Sequence, residues 1–129
     1  MRITFNGSIF QATHVTGPTH NYLGLALRSD AAPADFEVRL LSHQPGEAAK
    51  LRADEVKAWI LEGIGIANEQ LGTGYWPAYA EFVASDSHCP HVYAELARRI
   101  VLAAHDREAA APFAGGGTSA GSTEGRSSP

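Results

Sequence analysis

Near residue 52 the spacing of apolar residues changes period, and that change limits the fold more than any other feature of the chain. Upstream, apolar and polar residues alternate with a period of two, the mark of strands. In "RITFNGSIFQATHV", Ile3 and Phe5 alternate with Thr4 and Asn6 before Gly7 permits a bend or bulge. "NYLGLALRS" sets Leu23, Leu25 and Leu27 on one face, and "FEVRLLS" sets Phe36, Val38 and Leu40 against Glu37 and Arg39. Gly17 and Pro18 mark a turn between the first two strands and "DAAPAD" a loop before the third, so the three are expected to form an antiparallel meander.

Downstream the spacing becomes helical. Val56, Trp59, Ile60, Ile64, Ala67 and Leu71 recur at three- and four-residue steps, which predicts an amphipathic helix of about 18 residues, capped by Asp54 and ended by Gly72. Gly63 and Gly65 each cost about 1 kcal/mol relative to alanine inside a helix, so they point to a close approach of the helix backbone, most simply to the sheet. "YWPAYAEFVASD" returns to strand alternation, with Tyr79, Glu81 and Val83 opposite Ala80, Phe82 and Ala84, and Pro77 at its entrance or on an edge. A second helix carries Tyr93, Leu96, Ala97, Ile100, Val101 and Ala104 as its buried stripe. The expected class is α+β: a two-layer α/β sandwich in the order βββαβα, with a four-stranded mixed sheet and both helices on one face.

With 129 residues the chain has enough length for one domain and one core. Residues 1–108 are expected to form it, and residues 109–129, "AAPFAGGGTSAGSTEGRSSP" after Ala109, a disordered Gly/Ser-rich tail, since this composition buries too little surface to offset its ordering entropy. The single cysteine rules out an intrachain disulfide and fits a reducing compartment. There is no secretory-type apolar run and no window long enough for a membrane span, so the expected location is cytoplasmic. A net charge of −4 argues against a general DNA or RNA clamp.

Several segments share their order and residue types with one family. They are "NYLGLAL", the Phe-Glu start of "FEVRLLS", Gly63 and Ile64 in mid-helix, "GTGYWP" from Gly72 to Pro77, and "VYAELARRIVLAA". Over residues 2–105 the pattern resembles domain IV of elongation factor G, a member of the superfamily named after the second domain of a small-subunit ribosomal protein. The resemblance implies a left-handed β-α-β crossover. It also implies a non-enzymatic binding module that meets the ribosome or another translation component through two loops at one tip. Two departures stand out: "THVTGPTH" lacks the arginine of the family's first tip loop, and "SDSHCPH" is shorter than its second. Losing that arginine weakens the case for phosphate contact. The chain also has no G-x-x-x-x-G-K-[ST] phosphate loop, hence no GTPase engine of its own.

Under this resemblance the tip site comprises His14, Thr16 and His20 from the first loop and Asp86, Ser87, His88 and His91 from the second. No cofactor is expected first. Zinc on His14, His20, His88, Cys89 and His91 is the alternative, because Cys and His suit that metal, although their spacing lacks a paired-ligand signature. A thiol enzyme is a further alternative. If Pro90 takes the first helical position, Cys89 is the N-cap, where the helix dipole favours a thiolate, a loop histidine would act as base, and Asp86 would orient it. Otherwise Asp86 or Ser87 caps the helix and Cys89 packs. A third reading is a small interaction regulator or inhibitor whose acidic balance suits a basic protein. Tyr75, Trp76 and Tyr79 are of the types that stack on bases, but at a strand entrance they are better read as packing.

Overall fold

The computed structural model describes residues 1–16, 19–29, 35–41 and 48–110. In it the alternating half of the chain becomes β1 (Arg2–Phe5), β2 (Phe10–Thr16), β3 (Thr19–Arg28) and β4 (Glu37–Leu41). The other half becomes α1 (Ala53–Leu71), β5 (Trp76–Val83) and α2 (Pro90–Ala110). Among the described residues the sheet therefore has five strands rather than the expected four. The extra strand arises at Gly7, where the bend is a full reversal. The Asn6 carboxamide oxygen accepts from the amides of Ser8 and Ile9, both at 2.9 Å, and Gly7 takes a φ of 100°. Such side-chain acceptance and positive φ are what a tight turn demands. The two flanking phenylalanines, Phe5 and Phe10, then pair across the strands with ring centroids 4.5 Å apart.

A second correction concerns sheet order, which runs β1-β2-β3-β5-β4. The expected meander stops at β3, because β5 enters between β3 and β4, antiparallel to the first and parallel to the second. Burial explains the arrangement. β5 buries Ala80 and Phe82 completely, as a central strand should, whereas β4 leaves Leu40 half exposed and suits an edge. Pro77 sits at the entrance of β5 opposite Leu27, where the β3–β5 register shifts and a missing amide donor does little harm.

Both helices cover one face of the sheet. Ala12, Leu23, Leu25, Ala80 and Phe82 from the strands meet Val56, Ile60, Ile64 and Ala67 of α1 and Tyr93, Leu96, Ala97, Ile100 and Val101 of α2 in one core. Helix α1 starts without a side-chain cap. Arg52 occupies the N-cap position, and Asp54, expected there, lies in the first turn and pairs with the Arg52 guanidinium at 3.1 Å. Gly72 ends the helix at a φ of 69°, its amide donating to the Asn68 carbonyl at 2.7 Å. The Asn68 side chain then fixes the passage into β5, donating to the Tyr75 carbonyl and accepting from the Tyr75 amide, each at 2.9 Å. Gly63 does mark a close approach, but to α2 rather than to the sheet: a Cβ there would lie 2.0 Å from the Ala94 carbonyl oxygen. Gly65 is exposed and has nothing within 4 Å of its Cβ position.

Helix α2 continues to Ala110, past the expected domain end at residue 108. Residues 111–129 of the expected tail lie outside the described residues, as do Gly17, Pro18 and most of "DAAPAD". Among the described residues no helix is long and apolar enough to cross a membrane.

Candidate functional site

The segment after β5 folds back onto the start of β3. A turn closes first, with the Asp86 amide donating to the Val83 carbonyl at 3.0 Å. Asp86 is then buried, only 4% exposed, and its carboxylate serves β3 twice. One oxygen accepts from the Tyr22 amide at 2.9 Å, and the other lies 3.2 Å from His20 Nδ1. Ser87 continues the contact. Its amide donates to the His20 carbonyl at 3.2 Å, its Oγ accepts from the His20 amide at 3.2 Å, and its carbonyl accepts from Asn21 Nδ2 at 2.8 Å. The segment after β5 is thus stitched to the start of β3 at one end of the sheet.

Where the sequence suggested a helix cap, Asp86 and Ser87 direct these hydrogen bonds to the start of β3. Pro90 opens α2, as its fixed φ favours, and has no amide to satisfy. Cys89 stands before it, its carbonyl accepting from the Val92 and Tyr93 amides at 3.0 and 3.3 Å. The Cys89 thiol is free and half-buried.

Of the residues expected at the tip, His20, Asp86 and Ser87 come together, with the His20 side chain half exposed. Thr16 is exposed at the end of β2, and His91 is exposed in the first turn of α2. His88 leans toward α1 instead, its Nε2 3.8 Å from a Glu55 oxygen and its ring edge-on to Trp59. His14 faces Asn21 across the β2–β3 ladder and so points to the helix side, while His20, opposite Val15, points to the open side. Because strand side chains alternate, the two histidines diverge. Among the described residues no three His, Cys, Asp or Glu side chains gather as a metal site.

The open face of the sheet carries a cluster that sequence reasoning missed. Glu81 accepts from the Tyr22 hydroxyl at 2.5 Å and from the Tyr79 hydroxyl at 2.8 Å, and Gln11 donates to the Tyr22 oxygen at 3.1 Å. Gly24 makes room for it, since a Cβ there would lie 2.7 Å from Glu81 Cγ. Alternation alone places Tyr79 and Glu81 on one face. Only the β3–β5 pairing adds Tyr22. Between this cluster and the tip the face dips into a groove of about 690 Å³, bordered by Thr13 and His20 on one side and Arg39 and Leu41 on the other. The aromatic trio is divided: Tyr79 serves Glu81, whereas Tyr75 is buried and donates to Glu108 at the far end of α2, which favours the packing reading.

All four tyrosines hold their protons tightly. Burial, then the Glu81 carboxylate, pushes Tyr22 up to about 12, and burial with Glu108 does the same to Tyr75. Tyr79 is raised by burial and Glu81, and Tyr93 mainly by burial. A pKa raised in the fold means that the folded chain binds the proton more tightly than the unfolded chain. Stability is therefore complete below about pH 10 and declines as pH rises from there through about 12. Absorbance titration should show tyrosinate appearing together with loss of helical circular dichroism. A tyrosine ionising at its ordinary value in the intact fold would contradict these pairings.

Compared with protein-family models, with curated proteins and with solved structures, the chain finds no match.

Proposed function

We propose that the chain is a non-enzymatic binding module whose contact surface is the tip where β2 and β3 meet the Asp86–Ser87 segment. The observation that carries this reading is the stitching itself. Asp86 and Ser87 hold the start of β3 through both backbone and side-chain hydrogen bonds, while Val15, 61% exposed, and His91 face outward around it. A surface fixed in advance loses little conformational freedom on binding. The partner is the ribosome or another translation component, an assignment that rests on the sequence resemblance to domain IV of elongation factor G. With no arginine in the first loop, the contact works through shape and a few hydrogen bonds rather than through phosphate charge.

Co-sedimentation with ribosomes at low salt tests the proposal. The natural chain should pellet with ribosomes, and the double variant Val15→Asp with His91→Ala, both exposed positions, should lose about tenfold in association, since a buried contact of this size is worth roughly 1.4 kcal/mol. If the natural chain stays in the supernatant, the proposal fails.

A further inference from the structure

At the end of the sheet away from the tip, the last turns of α2 border a second cavity, of about 220 Å³. Its inner wall is apolar: Phe10 and Leu27 from the sheet, with the buried Tyr75 and Ala104. Phe5 stands beside Phe10, the two ring centroids 4.5 Å apart. The rim is polar and exposed, with Ser8 from the turn after β1, Ser29 from the end of β3, and Arg107 and Glu108 from α2. Apolar surface and charge thus share one opening.

Arg107 is the group that gives this cavity a ligand chemistry. Its guanidinium lies over the Phe5 ring, 4.4 Å from the ring centre. Such a contact holds the group in place by the negative face of the ring and satisfies none of its N–H donors with an oxygen. Among the described residues no carboxylate pairs with Arg107. Arg28 also lines the cavity, so two guanidinium groups stand against one carboxylate, Glu108, which accepts from the Tyr75 hydroxyl. On a chain with a net charge of −4, that is a local excess of positive charge.

The geometry points to a binding site for a small aromatic monocarboxylate, with its ring against Phe10, Leu27 and Tyr75 and its carboxylate on Arg107. Size limits the occupant, because the cavity is smaller than the roughly 300–1,000 Å³ of pockets for drug-sized ligands and suits a single ring. The rings of Phe5, Phe10 and Tyr75 offer edges and faces to another ring. A guanidinium fork matches a carboxylate, and the Ser8 and Ser29 hydroxyls can add donors. Glu108 beside Arg107 repels a second negative charge, which favours a carboxylate over a phosphate dianion. The site lies at the opposite end of the sheet from the tip, so it stands or falls independently of the contact surface proposed there.

An NMR titration of the full chain with phenylacetate, phenylacetamide and inorganic phosphate tests the assignment. Phenylacetate should shift the amides of Phe5, Phe10, Leu27 and Ala104, leave those of Ser87 and His91 in place, and bind with a Kd of about 1 mM, ordinary for about ten non-hydrogen atoms. Phenylacetamide, which keeps the ring but lacks the charge, should bind at least about tenfold more weakly, and so should phosphate, which lacks the ring. Arg107→Gln should weaken phenylacetate about tenfold, and Arg107→Lys should fall between, since it keeps the charge without the fork. The amide and phosphate comparisons need no variant, so they decide the matter even if Arg107→Gln loosens the end of α2. No shift at the four amides, equal binding of phenylacetamide or of phosphate, or unchanged binding by Arg107→Gln would each overturn the assignment.

Discussion

Gly63→Ala should destabilise the fold by about 3 kcal/mol, whereas the same change two positions on, Gly65→Ala, should leave it unchanged or raise its stability by up to about 1 kcal/mol. Both glycines lie in the interior of α1, so the gain in helix propensity is the same for each. They differ in what the new methyl group meets. At Gly63 it would fall 2.0 Å from the Ala94 carbonyl oxygen, 2.8 Å from its carbon and 3.0 Å from the Ala97 Cβ. The first two atoms are helix backbone and cannot rotate away, so α1 and α2 must separate and loosen Ile60, Ile64 and Ala97, which pack there. Urea unfolding of the two variants, with slopes matching the natural chain, measures the difference. Equal stability of Gly63→Ala and Gly65→Ala would show that the helices are not in such contact.

Asp86→Ala is the second large effect, a loss of about 2–4 kcal/mol, because it strands the partly buried Tyr22 amide and releases His20 in one step. Asp86→Asn keeps an acceptor for the amide but gives up the charge, and should cost about 1 kcal/mol. Hydrogen exchange at the Tyr22 amide gives a local reading. It should accelerate strongly in Asp86→Ala and modestly in Asp86→Asn, while the amides of Leu96 and Ile100 keep pace with global stability. An exchange rate at Tyr22 that ignores both substitutions would mean that the tip is not held by Asp86.

Local spacing revealed each element's buried face but not its neighbours. Leu23, Leu25, Ala80, Phe82 and the stripe of α2 are buried as their periodicity requires, and Gly72 ends α1 in the left-handed region. Strand order was hidden, since alternation in "FEVRLLS" reads the same at an edge or in the middle of a sheet. Gly63 announced a close approach without saying what approaches. The site shows the same limit. The resemblance set His14 and His20 together in one tip site, yet the hairpin register sets even residues opposite odd ones, so residues of equal parity on its two strands face opposite sides. The partners of Asp86 were hidden for a related reason: a short Ser-Asp-Ser run before a helix looks like a cap, and only the fold brings the start of β3 within its reach.

The place of β5 in the sheet also bears on how the chain assembles as it is made. Leu23 pairs with Phe82, and Val38 with Ala80, so the strand that joins β4 to the rest of the sheet is the last of the described strands to be synthesised. Until then β1, β2 and β3 can zip together locally, but β4 has no strand beside it. Closing the sheet therefore waits for α1 and β5, and contacts so distant along the chain form slowly compared with local ones. During that interval the apolar side of β3, with Leu23 and Leu25, stands uncovered, and it is the stretch of this protein most in need of protection before folding is complete.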